Sequence, residues 1–345
     1  MTDVNDQVLG RVRRIDRSTL VRGLLVVVAF DLLYLFVDAA GANYRRLATL
    51  SAVDGLLVLS LVVLTGMVGQ ISFVQAELAG FGGLLAGHLI AHFHWNFWFA
   101  LPAAVIASVA VGVVVGLPAL RLRGLILGVV TIALALAFDN YVFTLGPFNK
   151  GEFISRPSIF GWDLADDRAA FVFCFAVLVV CALLVSNLQR SKTGRVLAAI
   201  RDAEVAAKTS GVDVTRYKLL AFGISAGLAG LAGVLLDLTI GTIDKQSFTL
   251  LLSINLAAVV ILMGPNFVAS AFAGGVFLVW GGEVLSKTGV SPAYLNVVLG
   301  GGLILQLISA PEGVVPRTRL LVGHVLELLP RRESEKTTSP AVLPS

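Results

Sequence analysis

Polar side chains inside long apolar stretches come first, because lipid offers them nothing to bond to. Gln70, Ser72, Gln75 and Glu77 stand together beside Gly69, Gly80, Gly82 and Gly83. An ionisable group placed in hydrocarbon costs at least ~2.5 kcal/mol, so such residues face protein or water. Glycine at these positions either lets helices approach closely or breaks a helix and presents its backbone groups to a solute. Gly69, Gln70, Ser72, Gln75, Glu77 and, further on, Asn255 are therefore candidate lining for a solute pathway. The competing reading is tight helix packing with buried hydrogen bonds. Asp54 also falls deep in an apolar stretch, whereas Asp139, Asn140, Asp237 and Glu283 fall near stretch ends, where water reaches them.

Other constellations carry less. His88, His92 and His94 lie close together with Trp95 and Trp98. Amphipathic rings favour the membrane interface without any metal, so no metal site is expected. Cys174 and Cys181 share one apolar run with no further ligand nearby and read as small packing residues. No Ser-His-Asp or Cys-His set has supporting context, so no catalytic residue is assigned.

The most informative polar stretch is 188–217, LQRSKTGRVLAAIRDAEVAAKTSGVDVTRY. Read as a helix from about 194, it places Val196, Ala199, Ile200, Ala203 and Ala206 or Ala207 on an apolar stripe. Arg195, Arg201, Asp202, Glu204 and Lys208 take the other faces, and Gly211 stands where a helix C-terminus favours glycine. Such a helix either lies on the membrane surface or docks into a groove on a partner protein.

These residues sit in a chain of 345, of which 57% are hydrophobic and 14% charged, with a mean hydropathy of +0.89. Soluble domains carry about 25% charge. This chain lacks the polar residues to cover a core in water, and its fold class is an all-α integral membrane protein. About ten transmembrane helices are expected, at 20–38, 47–68, 71–93, 97–117, 125–145, 168–187, 218–240, 247–264, 266–285 and 293–310. The third and ninth are rich in glycine and open to being broken or re-entrant. Residues 1–19 read as a cytoplasmic arm, the first span as retained and not a cleaved signal, 20–316 as the polytopic domain, and 317–345 as a disordered cytoplasmic tail. With both termini inside, 19 of the 26 Lys and Arg fall on the cytoplasmic side and 7 outside, as the positive-inside rule requires. Arg45 and Arg46 are the exceptions. Loop 146–167 is then external and turn-rich, and 188–217 is internal. A short echo links Leu64–Gly69, Phe73-Val74 and Ala79-Gly80 to Ile261–Gly264, Phe267-Val268 and Ala273-Gly274, the kind of internal repeat found in transporters.

The 188–217 segment resembles the coupling loop of permease subunits of ATP-binding-cassette importers, whose hallmark is Glu-Ala-Ala, three residues, then Gly. Here Val205-Ala206-Ala207 is followed three residues later by Gly211; valine replaces the hallmark Glu, with Glu204 adjacent. The longer string GRVLAAIRDAEVAAKTSGVDVTRYKLLAFGISAGLAGLAG is similar to the LivM-type permeases of the high-affinity branched-chain amino-acid importer family. So are Gly69-Gln70-Ile71-Ser72, the stretch from Ser247-Phe248 to Asn255, and Pro311-Glu312-Gly313. The resemblance covers roughly 45–316. Two departures stand out: Glu77, where the family carries apolar or small residues, and Gly264-Pro265-Asn266, where it carries a glycine cluster.

The resemblance implies a transport subunit, not an enzyme, moving branched-chain or other small amino acids inward across a bacterial cytoplasmic membrane by alternating access. It implies separate ATPase subunits holding ATP and Mg, a second permease subunit (a paralogue or a copy), and an extracytoplasmic solute-binding protein docking on the outer loops. The chain carries no Gly-x-x-x-x-Gly-Lys-Ser/Thr phosphate loop, it is expected to bind no cofactor of its own, and nucleic acid is not expected among its partners. Arg195, Arg201, Asp202, Glu204, Ala206, Ala207 and Gly211 become the candidate ATPase-coupling residues. Transport driven by an ion gradient, with Asp54 and Glu77 as ion sites, and import of urea, amides, sugars or nucleosides are the alternatives.

Overall fold

A computed structural model describes residues 41–309, apart from 121, 123, 150–156, 160, 161, 165, 243, 290, 292 and 293. The N-terminal arm, the expected first span at 20–38, Arg121, Arg123, Pro311-Glu312-Gly313 and the tail lie outside the described residues. The described chain is helical but for one hairpin, in which β1 (Ser158–Ile159) runs antiparallel to β2 (Trp162–Asp163).

The principal helices are α1 (Ala42–Leu61), α2 (Gln75–Phe93), α3 (Phe97–Ala119), α4 (Leu125–Asn140), α5 (Asp167–Arg190), α6 (Lys192–Thr209), α7 (Val214–Ile240), α8 (Leu250–Met263), α9 (Ala269–Lys287) and α10 (Leu295–Ser309). Seven spans among the described residues are long and apolar enough to cross a bilayer: those built on α1, α3, α4, α5, α7, α8 and α9. The expected spans at 71–93 and 293–310 correspond to α2 and α10. Gln75, Glu77 and two histidines make α2 more polar than a plain span, and α10 is only 15 residues long.

The centre of the bundle is α7, which packs on α1, α2 and α3. Lipid tails are as apolar as leucine, so helices in a bilayer associate through close packing and not through a hydrophobic drive. The sequence ISAGLAGLAG supplies the small residues that close packing needs. A Cβ on Gly82 would lie 2.6 Å from the Gly230 Cα, one on Gly83 would lie 2.8 Å from the Gly233 carbonyl oxygen, and one on Gly233 would run into the Ala79 carbonyl oxygen. Helix α9 closes on α1 in the same way, with Gly275 against Gly55. Trp280 Nε1 donates to Ser51 Oγ at 3.1 Å, and Lys287 Nζ donates to the Tyr44 hydroxyl at 2.9 Å, pinning the far ends of those two helices.

Two places depart from this regularity. After Leu61 the chain widens into a π-helical stretch, Val62–Val68, ended by Gly69 in the left-handed region at φ 72°. Residues 70–74 follow without helical structure, and α2 starts at Gln75. Gln75 Oε1 lies 3.2 Å from Ser60 Oγ, so the start of α2 packs beside the last turn of α1. The second break, Gly264–Val268, precedes α9. The echo noted in the sequence has the same phase in both places: Phe73-Val74 and Phe267-Val268 each stand immediately before a helix of 19 residues. The third and ninth spans, expected to be open to a break, are each one continuous helix, and the irregular backbone lies in the connections before them.

Replacing Gly233 by valine should force α2 and α7 apart, at the ~1–3 kcal/mol typical of overpacking. Gly282→Ala, with nothing within 4 Å of its Cβ, should be silent. Thermal unfolding in detergent, followed by fluorescence-detected gel filtration, separates the two outcomes.

Candidate functional site

The backbone between Gly69 and Gln75 is only partly paired with the π stretch, where Gln70 N donates to the Leu64 carbonyl, and within a bilayer the rest must be satisfied by protein or water. Hydroxyls on neighbouring helices do this. Thr131 Oγ1 of α4 accepts from Phe73 N at 3.1 Å, and Ser253 Oγ of α8 accepts from Ala76 N at 2.9 Å. Ser253 in turn donates to Glu77 Oε2 at 2.7 Å, so Glu77 is fully buried in the first turn of α2 with a hydroxyl as partner. On the other side Ser60 Oγ meets Gln75 Oε1 at 3.2 Å, and Ser225 Oγ of α7 donates to the Ser60 carbonyl at 2.7 Å. Four of the six predicted pathway side chains therefore gather at the start of α2.

That cluster is not saturated. Gln70 Oε1, Ser72 Oγ, Gln75 Nε2 and Glu77 Oε1 are all buried with no hydrogen-bond partner among the described residues. Native interiors rarely leave such groups unpaired, and each one calls for a role or an additional molecule. Together they offer one donor group, one hydroxyl and two acceptors at the start of α2. Asn255 does not join them. It bonds Asn296 of α10 at 3.0 Å and belongs to the α8–α10 contact. Asp54 stands apart on α1. Sequence reasoning missed Ser60, Thr131, Ser225 and Ser253; their only signal was a hydroxyl inside an apolar helix.

The polar 188–217 segment forms α6, capped by the Ser191 side chain on Gly194 N at 3.1 Å. It is kinked at Ala203, whose φ and ψ are −152° and 76°. Its end is a Schellman motif: Val212 N bonds the Ala207 carbonyl and Gly211 N bonds the Lys208 carbonyl, with Gly211 left-handed at φ 84°. A glycine four positions after Ala207 is what that closure requires.

The seven predicted coupling residues separate into two sets. Arg195, Asp202 and Ala206 face outward and line a groove of about 560 Å³ along the kink, with Ala199 and Ala203 on its floor. Arg201 and Glu204 turn toward the membrane helices. Ala207, with Ile200, is buried against Val214 and also lines the groove, so the apolar stripe serves both an inner face and the groove. Glu204 pairs with Lys218 Nζ at 2.9 Å, and Lys218 is only 2% exposed. Arg201 Nη1 reaches the Gly66 carbonyl at 2.6 Å and Asn266 Oδ1 at 2.8 Å, one on each chain break, while its Nε pairs with Asp202 at 2.9 Å.

Among the described residues no group of three His, Cys, Asp or Glu is placed to hold a metal. A polytopic helical bundle with a half-open polar helix start in its core and a grooved helix beneath it is a membrane permease. Residues 43–307 match the family model described as branched-chain amino acid transport system / permease component, and the chain belongs to that family of importer permease subunits. It is 31% identical over 333 residues to the high-affinity branched-chain amino acid transport system permease protein LivM of Salmonella typhimurium, covering 88% of this chain and 77% of the relative. The LivM protein of Escherichia coli matches to the same degree. The LivH permease of S. typhimurium is 24% identical over 293 residues, covering 78% of this chain and 93% of the relative. No solved structure matches.

Removing one partner of a buried ion pair costs ~3–5 kcal/mol. Lys218→Met should approach the lower end of that range, since Glu204 retains some solvent. The double variant Lys218→Met, Glu204→Leu should recover most of the loss. Unfolding midpoints of the two variants in detergent check this.

Proposed function

We propose that this chain is one of two permease subunits of an ATP-binding-cassette importer that carries branched-chain or other small amino acids inward. The observation that carries the proposal is the arrangement at α6: a grooved cytoplasmic helix turned outward on one side and bonded to both chain breaks on the other. Ten spans with both termini in the cytoplasm accommodate it, since α6 then lies inside, in the most basic loop. The membrane is the bacterial cytoplasmic membrane. ATPase subunits, holding ATP and Mg, dock in the groove, where the apolar floor allows close contact and the charged rim sets orientation. An extracytoplasmic binding protein delivers solute to the outer face, with 146–167 its main contact. The second permease is a paralogue: relatives in one organism carry two differently named permeases, LivM and LivH.

The solute pathway passes the start of α2. Amino acids present both an ammonium and a carboxylate, and the unpartnered Glu77 Oε1, Gln75 Nε2 and Ser72 Oγ offer partners to each. Opening the bundle at the break would bring these atoms to the solute. The same buried Glu77 supports a second reading, transport driven by an ion gradient. Uptake that persists with an uncoupler and stops with ATP depletion decides for the importer.

Ala206→Arg fills the groove from an exposed position and should abolish co-purification of the ATPase, by at least tenfold, with normal membrane insertion. Unchanged association would move the docking site elsewhere. Glu77→Gln should lower leucine uptake into proteoliposomes at least fivefold while leaving the ATPase bound; uptake at the level of the unaltered protein would remove Glu77 from the pathway.

A further inference from the structure

Arg201 has a placement that docking alone does not explain. Its guanidinium leaves the groove side of α6 and enters the membrane domain, where a single nitrogen, Nη1, bridges the Gly66 carbonyl and Asn266 Oδ1. Gly66 lies in the last turn of the π stretch that ends α1. Asn266 lies in the turn that follows α8, just after Gly264 at φ 102°. Both are helix C-termini, where unpaired carbonyls and the helix dipole favour a cation. The two termini touch each other as well: a Cβ on Gly66 would run into the Pro265 carbonyl oxygen. Gly69 makes room for the arginine, since a Cβ there would lie 2.7 Å from Arg201 Cγ.

Each terminus is also the hinge of a break, the first leading into α2 with its polar cluster and the second into α9. Arg201 stands two residues before the kink at Ala203, which lines the groove. Arg201 is the side chain of α6 that bonds both breaks at once, alongside the packing of α6 on the π stretch and on α7.

We propose that Arg201 is a transmission latch. It holds the ends of α1 and α8 together in the state described here, and it releases or shifts them when a docked ATPase moves α6, so that α2 and α9 move as one. The latch rests on the proposed docking of an ATPase in the groove, and Arg201 acts as a positioning residue that touches no solute. A guanidinium suits the task because its planar donors can reach two acceptors while keeping a third on Asp202; an ammonium on a flexible stem cannot hold that geometry.

The test uses the assembled complex of both permeases and the ATPases, with Cys174 and Cys181 replaced by alanine. Spin labels are placed at Phe93 and Val284, which are exposed near the ends of α2 and α9. ATP with vanadate should change the label-to-label distance in the otherwise unaltered chain. In R201A and in R201K the ATPase should still co-purify, but the distance change should shrink at least threefold, with R201K behaving like R201A despite its charge. Solute moved per ATP hydrolysed should fall at least tenfold in both. As a check independent of R201A folding, R201C paired with N266C and bridged by a short dithiol-reactive cross-linker should arrest transport. The proposal is overturned if the R201A and R201K distance changes match the unaltered chain, if R201K alone restores coupling, or if the cross-linked pair still turns over. Should the unaltered chain hold no ATPase at all, the docking reading falls first and the latch with it.

Discussion

Backbone amides at the depth of a bilayer must be bonded by protein, and the interrupted start of α2 is where this chain meets that constraint. Leaving 70–74 out of any helix strips several N–H and C=O groups of their usual partners. Hydroxyls around the break meet part of this need: Thr131 on α4 accepts from Phe73 N and Ser253 on α8 from Ala76 N, while Ser60 on α1 bonds the Gln75 side chain and Ser225 on α7 bonds the Ser60 carbonyl. Those hydroxyls reach only because the helices stand close, and they stand close because glycine and alanine line the α7 interfaces. Packing and polarity are here one requirement.

Helix α6 shows how one sequence face can serve two neighbours. A straight helix would present Ala199, Ala203, Ala206 and Ile200, Ala207 as one broad stripe. With the kink at Ala203, Ile200 and Ala207 pack against α7 while Ala199, Ala203 and Ala206, with one side of Ala207, line an outward groove. The charges divide likewise. Arg195 and Asp202 stay at the rim, whereas Glu204 and Arg201 bond inward, to Lys218 and to the two breaks. Valine at 205, where the family hallmark has glutamate, is 65% exposed, and the neighbouring Glu204 takes the inward ionic contact instead.

Much of this was legible in the linear chain. Hydropathy placed the spans, and every expected span within 41–309 coincides with a helix. The glycine-rich third and ninth stretches fold as continuous helices whose glycines serve close packing, and polar residues beside glycine pointed to the start of α2. The partner of Asn255 was not legible, because a helix periodicity says which residues share a face but not which neighbour that face meets. Its partner, Asn296, is 41 positions away.

Composition, periodicity and local cap chemistry settle what a segment can be, because those preferences act over a few residues. They therefore set the membrane class, the helices, the Gly211 closure of α6 and the presence of a polar site near Glu77. The contacts that join these parts span far longer intervals: Ser253 to Glu77 across 176 positions, Arg201 to Gly66 across 135 and to Asn266 across 65. No local preference encodes such pairs. They exist because glycine contacts draw particular helices together, and lipid then leaves their polar atoms no partners but one another.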